Sequence, residues 1–428
     1  MLGMMLPIFV LLLILGVPIF LTMGITSGVV FAAEDGLMPL AQKILDELNS
    51  PTLLAIPYFV IAAIFMERGG VAKALIEAVT SWLGRMPGGM GLVSVVTCSI
   101  FAAMCGSSVA TAIAMGTILI PAMLREGYKS SFAGGILAAA GTLGILIPPS
   151  LTFVVYGVLA DASIPRLFLA GVIPGLISAG MMCVYVYFFA KKNNYVAREV
   201  IPLQERIHKT VVALPALAVP VVVLGGLYGG FVTLTETAAL SAVVAMILAL
   251  FVYRGMQFKD FFLVLTYSVR SAAAIMIIIA TALAFGHLIT ETGIANYMMQ
   301  VMKEYNIKGW QFLLLVNIGL IFLGMFLEVF SIMLITVPIL FPLLAPLEID
   351  PIHFGVMLVI NMELALMSPP VGLNLFVISN ISNIPLTQVL RGTMPFFIMM
   401  VVLLAMVTYI PIISTWLPDL LMGPIRHY

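Results

Sequence analysis

The sequence predicts an all-α polytopic membrane protein with about ten transmembrane spans and two re-entrant helical hairpins, arranged as inverted repeats. Of the 428 residues, 62% are hydrophobic and only 9% are charged, whereas soluble domains carry about 25% charged residues. Apolar runs long enough to cross about 30 Å of hydrocarbon recur along the chain. Helix-breaking residues also recur, since Pro148-Pro149 and Pro369-Pro370 are 221 positions apart. These observations place the chain in lipid and divide it into two related halves.

The spans follow one another with short connections. Residues 1–33 form either one long helix of about 48 Å or two short spans that turn near Gly16–Pro18. Eight further spans are expected near 52–68, 131–160, 166–190, 210–229, 233–253, 261–286, 351–381 and 393–417.

Two longer apolar stretches, 88–123 and 310–346, contain a break with Gly and Ser residues in the middle. Each is typical of a re-entrant hairpin whose tip stops inside the protein, because broken backbone at membrane depth is tolerated only where it is buried or lines a cavity. Amphipathic stretches at 69–86 and 291–309 precede the two hairpins. We read each as a helix along the membrane interface, as an arm that links a moving unit to a fixed one, or as both.

The basic residues orient the chain. Loop 191–209 is rich in Lys and Arg and is therefore expected in the cytoplasm. We assign alternate sides of the membrane to successive connections, starting from this loop. This places 13 of the 19 basic residues on the cytoplasmic side and five on the other side, with Arg270 within a span. Both termini then lie outside, and the two hairpins enter from opposite sides. The two halves are thus predicted to have inverted topology.

Interrupted helices supply the chemistry of the predicted site. Their ends expose carbonyl oxygens, which suit a hard cation such as Na⁺, and N–H groups, which suit a carboxylate. Two cation sites with an anionic substrate between them follow from the duplication. In the first half the expected cation ligands are Cys105, Gly106, Ser107, Thr142, Gly144 and Pro148. The expected substrate-binding residues there are Ser107, Ser108, Thr111, Ser150 and, at the cytoplasmic edge, Arg125.

Arg125 has a second interpretation, as an ordinary anchor on the cytoplasmic side, and we favour it. In the second half the expected cation ligands are Gly324, Glu328, Glu363, Ser368, Pro369 and Gly372. Glu328 and Asn374 are the expected substrate-binding residues. Carboxylates at membrane depth are costly and usually functional, yet Glu328 is also suited to capping a helix and Glu363 to a structural role.

Several functions are disfavoured by the composition. A net charge of zero argues against nucleic acid as a partner. The three cysteines and four histidines show no metal-ligand spacing, and no nucleophile–base pair indicates an enzyme. No GxxxxGK[ST] motif is present, so ATP-driven pumping within this chain is not expected. A channel and a non-transporting scaffold remain alternatives to a transporter.

Motifs along nearly the whole chain resemble the large membrane subunit of tripartite ATP-independent periplasmic (TRAP) transporters, the DctM-like family. They are Ala55-Ile-Pro-Tyr-Phe, Gly106-Ser-Ser-Val-Ala-Thr-Ala, Gly127-Tyr128, Leu143-Gly-Ile-Leu-Ile-Pro-Pro-Ser, Leu167-Phe-Leu-Ala-Gly-Val-Ile-Pro-Gly, Thr235-Glu-Thr-Ala-Ala and Pro369-Pro-Val-Gly-Leu-Asn-Leu-Phe. The family often has Ser at position 105. Cys105 therefore departs from the pattern, which leaves its backbone as the ligand.

The resemblance implies a secondary transporter coupled to about two Na⁺ ions, with an elevator-type fold, in the bacterial inner membrane. It implies an organic-acid substrate such as a C4-dicarboxylate or sialic acid, a periplasmic substrate-binding protein that delivers it, and a small four-helix membrane subunit. The scarcity of basic residues at the predicted midplane mildly favours a hydroxylated monocarboxylate. The alternative is a single-component Na⁺-coupled carboxylate transporter or channel of a related fold.

The same resemblance divides the chain into a static scaffold and a moving transport domain. Residues 88–160 and 310–381 are the two moving units, each a hairpin followed by a broken helix. The scaffold comprises 1–87 with the first arm, 161–309 with the cytoplasmic loop and second arm, and the final span in 382–428.

Overall fold

The computed structural model describes residues 1–34, 36–193, 195 and 201–424, so Arg198 and Arg426 of the charge analysis lie outside the described residues. Within the described ranges the regular structure is entirely helical. The first half contains α1 Leu2–Ile14, α2 Ile19–Glu34, α3 Leu37–Leu48, α4 Pro51–Arg68, α5 Val71–Leu83, α6 Gly89–Cys105, α7 Ser108–Arg125, α8 Ser130–Leu146, α9 Leu151–Leu159 and α10 Ile164–Lys192.

The second half begins with the connecting helix α11 Leu203–Ala213 and then repeats the order of spans, hairpin and broken helix. It further contains α12 Ala218–Tyr228, α13 Leu234–Ile247, α14 Phe261–Thr292, α15 Ile294–Glu304, α16 Gly309–Gly324, α17 Val329–Leu340, α18 Pro351–Met367, α19 Leu373–Ser382, α20 Leu386–Tyr409 and α21 Ile412–Met422.

Seven of the described helices are long and apolar enough to cross a membrane, or eight if α8 and α9 count as one bent span. The prediction of a helical polytopic membrane protein is confirmed. The figure of about ten spans stays a prediction, because several apolar helices here have 10 to 17 residues.

The amino-terminal segment forms two helices, which settles the choice left open for residues 1–33. Helix α1 ends at Ile14 and α2 begins at Ile19. Gly16 adopts φ +73° in the turn between them, a conformation that costs a glycine little. The turn therefore lies where Gly16–Pro18 predicted it.

Both hairpins form as expected. Helices α6 and α7 turn at Gly106 and Ser107, and α16 and α17 turn between Met325 and Glu328. The broken helices follow each hairpin. Helix α8 is bent from α9 by 44°, and α18 is separated from α19 by residues 368–372. The peptide bonds Pro148-Pro149 and Pro369-Pro370 are both cis.

The two amphipathic helices that precede the hairpins differ in how tightly they pack against neighbouring helices. Helix α5 buries eight of its residues, and its Trp82 indole donates to the Thr210 hydroxyl of α11 at 3.0 Å. The Arg206 guanidinium also lies 5.7 Å from the Trp82 ring. Helix α15 buries only Met302 and overhangs an apolar cavity of about 500 Å³. Helix α5 is therefore held by α11, whereas α15 is loosely packed.

Glycines bring α8 and α20 into backbone contact. A Cβ atom at Gly392 would lie 1.7 Å from the Ser131 carbonyl oxygen, and one at Gly135 would lie 2.1 Å from the Gly392 carbonyl carbon. Small residues are the usual means of such close helix packing in lipid. Helix α20 is thus closely packed against the first broken helix.

Candidate functional site

A cavity of about 250 Å³ lies where the two hairpin tips face the helices α4 and α14. The first tip contributes Gly106, Ser107 and Ser108, and the second contributes Glu328. The opposite wall contains Glu67 of α4 and Ser271 of α14. The fold thus brings the tips of both repeats to one chamber.

The first tip is held by backbone contacts. Gly106 ends α6 with φ +60°, and its carbonyl oxygen accepts from the Leu151 N–H at 3.3 Å. The Ser107 side chain caps α7 by accepting from the Ala110 N–H at 3.4 Å. Gly144 lets the tip approach α8, because a Cβ there would lie 2.5 Å from the Ser107 carbonyl oxygen. The predicted ligands Gly106, Ser107 and Gly144 therefore lie together.

The first break is buried at Pro148, Pro149 and Ser150. The prolines lack N–H donors, so carbonyl oxygens of the preceding turn lose helical partners. The Ser150 hydroxyl donates to the carbonyl oxygen of Ile145 at 2.6 Å, which satisfies one of them. The Ser150 hydroxyl therefore stabilises the broken helix by this hydrogen bond. The other free carbonyl oxygens at the ends of α6 and α8 have the chemistry that Na⁺ requires.

The second tip repeats this arrangement with a carboxylate added. Glu328 caps α17, since its Oε1 accepts from the Ser331 N–H at 3.0 Å and its Oε2 from the Phe330 N–H at 3.3 Å. The tip is joined to its break by the Val371 N–H, which donates to the Met325 carbonyl oxygen at 3.2 Å. The structure therefore places Glu328 in the capping role that the sequence also allowed, at the edge of the cavity.

The second break is more open than the first. Pro369 and Pro370 are exposed, whereas Ser368 is buried and donates to the Leu364 carbonyl oxygen at 2.7 Å. Gly372 adopts φ +45° before α19. Gly324 packs on α18, where an added Cβ would lie 2.4 Å from that of Ala365. Gly324, Glu328 and Gly372 line a further cavity of about 290 Å³.

Asn374 connects the two repeats, and Thr111 supports the first tip from within its own repeat. The Asn374 amide donates to the Ser108 hydroxyl at 2.8 Å and to the Ala138 carbonyl oxygen at 3.1 Å. Thr111 donates to the Ser107 carbonyl oxygen at 2.8 Å. Both residues are fully buried. The structure therefore places these two predicted substrate ligands beneath the first tip, where they support it.

Thr142 and Glu363 are counterparts in the two repeats, 221 positions apart, and they lie side by side. Thr142 donates to the Ala139 carbonyl oxygen at 2.8 Å. Both carboxylate oxygens of Glu363 are buried without a hydrogen-bond partner in the described part of the protein. A buried carboxyl group without partners is costly, so Glu363 is a strong candidate for a ligand-binding role.

Arg125 lies apart from this cavity. It ends α7, 17 residues after Ser108, which is about 25 Å along a helix. Its side chain is exposed and donates to the Pro121 carbonyl oxygen at 3.3 Å. The position favours the interpretation of Arg125 as an anchor.

The sequence analysis missed the wall opposite the tips. Glu67, Tyr267 and Ser271 line the cavity but belong to no repeat motif. Glu67 is one residue before the end of α4, and Tyr267 and Ser271 lie in the first half of α14. A signal was present only in Glu67, as an acid within an apolar run. Across the described ranges no three His, Cys, Asp or Glu side chains form a metal-binding group, so backbone carbonyl oxygens are the main cation ligands on offer.

Comparison with known proteins shows the family and the fold class of the chain. Residues 6–413 match the family described as tripartite ATP-independent periplasmic transporter, DctM component. The chain is 42% identical over 387 residues to the C4-dicarboxylate TRAP transporter large permease protein DctM of Pseudomonas aeruginosa, covering 90% of this chain and 91% of that protein. It is 32% identical to the sialic acid TRAP transporter large permease protein SiaM of Vibrio cholerae, covering 94% and 93%. The fold is similar to that of the Alcanivorax borkumensis YdaH transporter, with a TM-score of 0.63 at 13% identity over 90% of each chain.

Proposed function

Because this chain belongs to the DctM family of TRAP transporter large permeases, we propose that it imports an organic acid together with Na⁺. It is a multi-pass membrane transporter subunit, not an enzyme. The observation that carries the proposal is the meeting of both hairpin tips at one cavity. Each tip joins a helix carboxyl end, rich in carbonyl oxygens, to a helix amino end, rich in N–H groups.

Na⁺ would bind at the two tips. At the first tip the ligands would come from the backbone at Cys105, Gly106 and Ser107 and from the end of α8, which includes Thr142, Gly144 and Pro148. At the second they would come from Gly324, Glu328, Glu363, Ser368, Pro369 and Gly372. The support is the repeated packing of each tip on its own broken helix, at Gly144 and at Ala365.

The substrate carboxylate would bind between the tips, near the amino ends of α7 and α17, where Ser107 and Ser108 offer hydroxyl donors. Relatives named for C4-dicarboxylate and sialic acid transport support an organic acid as substrate. We further propose delivery by a periplasmic substrate-binding protein and association with a small four-helix membrane subunit. We also propose a location in the inner membrane with both termini in the periplasm, which the family and the charge distribution support.

Movement would follow an elevator mechanism, with the two hairpin units sliding against α4 and α14. The cavity supports this because its two walls come from different parts of the chain. The hairpin tips form one wall, and the spans that precede the arms form the other.

The site assignment is tested by Ser107→Ala and Glu328→Gln in proteoliposomes that contain the complete transporter. Each substitution removes or weakens an oxygen at one tip, so we expect Na⁺-dependent uptake to fall by about tenfold or more. Assembly, measured by size-exclusion chromatography, should be unchanged. Glu348→Gln, outside both tips, is the control. Wild-type uptake and Na⁺ dependence in both tip variants would refute the assignment.

The tripartite interpretation has its own test. This chain alone should transport poorly, and removing the binding protein from the complete system should stop uptake. Uptake at full rate by the lone chain would instead show a single-component transporter.

A further inference from the structure

Glu67 is a carboxylate without a partner on the wall that faces the hairpin tips. It lies one residue before the end of α4, is partly buried, and lines the cavity. Among the described residues it forms no hydrogen bond or ion pair. The guanidinium of its neighbour Arg68 lies instead over the Tyr267 ring, 4.6 Å from the centroid. Glu67 is therefore a free hydrogen-bond acceptor inside the chamber.

The charged residues of the cavity lining are Glu67 and Glu328, and the lining contains no Lys, Arg or His. Glu328 is occupied, because its oxygens accept from the amides of Phe330 and Ser331 and from the Ser331 hydroxyl. Glu67 is left as the acid able to contact a bound molecule. A second carboxylate on the substrate would meet no basic side chain in the cavity lining and would be repelled by Glu67. The Arg68 guanidinium, which lies over Tyr267, offsets only part of that negative charge.

The neutral polar groups complete the pattern. The Ser107, Ser108 and Ser271 hydroxyls and the Tyr267 phenol line the same space, and hydroxyls both donate and accept hydrogen bonds. One substrate carboxylate can bind at the tips, while the remainder of the molecule faces acceptors on α4 and α14. A group that presents O–H donors satisfies Glu67, whereas an apolar group leaves its carboxylate desolvated and unpaired.

We propose, on the basis of the carboxylate transport proposed above, that Glu67 is a specificity-determining residue that accepts hydrogen bonds from substrate hydroxyl groups. The substrate class is then hydroxylated monocarboxylates, not C4-dicarboxylates. Because Glu67 belongs to the wall opposite the tips, it contacts the substrate only while the tips face that part of α4.

The test measures equilibrium binding of radiolabelled gluconate, N-acetylneuraminate and succinate to the full-length chain in nanodiscs with Na⁺. We expect at least one hydroxylated acid to bind the wild type more tightly than succinate. Glu67→Gln should weaken that binding by about tenfold, since a hydrogen bond to a charged acceptor is lost, and should leave succinate binding equal or stronger. Glu67→Asp retains the charge and should recover part of the affinity. Glu77→Gln, on the exposed face of α5, is the matched control.

Three results would overturn the inference: preferential binding of succinate by the wild type, no binding of either hydroxylated acid, or unchanged selectivity in Glu67→Gln. The proposed function fails on a separate result. If wild-type binding and uptake are the same when K⁺ replaces Na⁺, the Na⁺ coupling is wrong, whatever Glu67 does.

Discussion

Asn374 shows how one side chain holds the two repeats together at the site. It follows the second break in sequence, yet its amide donates to Ser108 at the first tip and to Ala138 of α8. The residue is fully buried. Losing it would leave the Ala138 carbonyl oxygen and the Ser108 hydroxyl without their donor.

We therefore expect Asn374→Ala to destabilise the protein by about 1–3 kcal/mol, the cost of unpaired buried polar groups. A lowered midpoint of thermal unfolding in detergent would show it, and substrate affinity should fall because the first tip loses support. Asn380→Ala, on the exposed face of the same helix, should have little effect. Equal unfolding midpoints for the two variants would contradict this role.

The predicted site residues fall into two groups for a physical reason. Gly106, Ser107 and Glu328 were predictable as cavity residues because small or charged residues at a hairpin break have few other uses in lipid. The partners of Asn374 and the orientation of Glu67 depend on packing between segments far apart in sequence. Spacing within one segment carries no information about such contacts, so the sequence named Asn374 as a ligand and did not name Glu67.

At the scale of elements, helices α8 and α20 form the closest glycine contact described above. Because a Cβ at Gly392 would meet the backbone of Ser131, no side-chain rotation can relieve the overlap. We expect Gly392→Ala to cost about 1–3 kcal/mol, seen as a lower unfolding midpoint. Gly180→Ala in α10, where nothing lies within 4 Å of the added atom, should be neutral or slightly stabilising. A Gly392→Ala protein as stable as the wild type would show that these helices separate easily.

This contact also bears on which elements move. The sequence analysis placed 382–428 in the static scaffold, as the family resemblance implies. Backbone packing at Gly135 and Gly392 favours movement of α20 together with α8. Local patterns found the helix breaks at Pro148 and Pro369, since proline acts on its own helix. Local sequence patterns do not reveal which neighbouring helices move together with the broken helices.

At the scale of the molecule, the cavity lies between the two hairpin tips on one side and α4 and α14 on the other. The tips belong to the units proposed to slide, and α4 and α14 form the opposite wall. Helix α5, the first proposed arm, is held to α11 through Trp82 and Thr210, while α15, the second proposed arm, lines a cavity of about 500 Å³. This asymmetry favours the second arm as the more mobile connection.

Cross-linking across the cavity tests whether sliding is required. Cys105 at the first tip lies against α4, with its Sγ 3.7 Å from the Ala63 carbonyl oxygen, and both residues line the cavity. In a Cys98→Ala, Cys183→Ala background, Ala63→Cys treated with copper phenanthroline should form a disulfide to Cys105 and tie the tip to the wall. We expect Na⁺-driven uptake to fall in proportion to the cross-linked fraction and to return with dithiothreitol.

Ala63→Ser in the same background is the control, because it receives the same oxidant but cannot form the disulfide. It therefore separates the effect of the cross-link on uptake from that of copper phenanthroline itself. An elevator cannot complete its cycle while its moving unit is covalently fixed to α4, because the tip must leave this wall to reach the other side of the membrane. Undiminished uptake by fully cross-linked protein would therefore eliminate sliding as the transport step, and transport would then have to proceed through local opening of the tips.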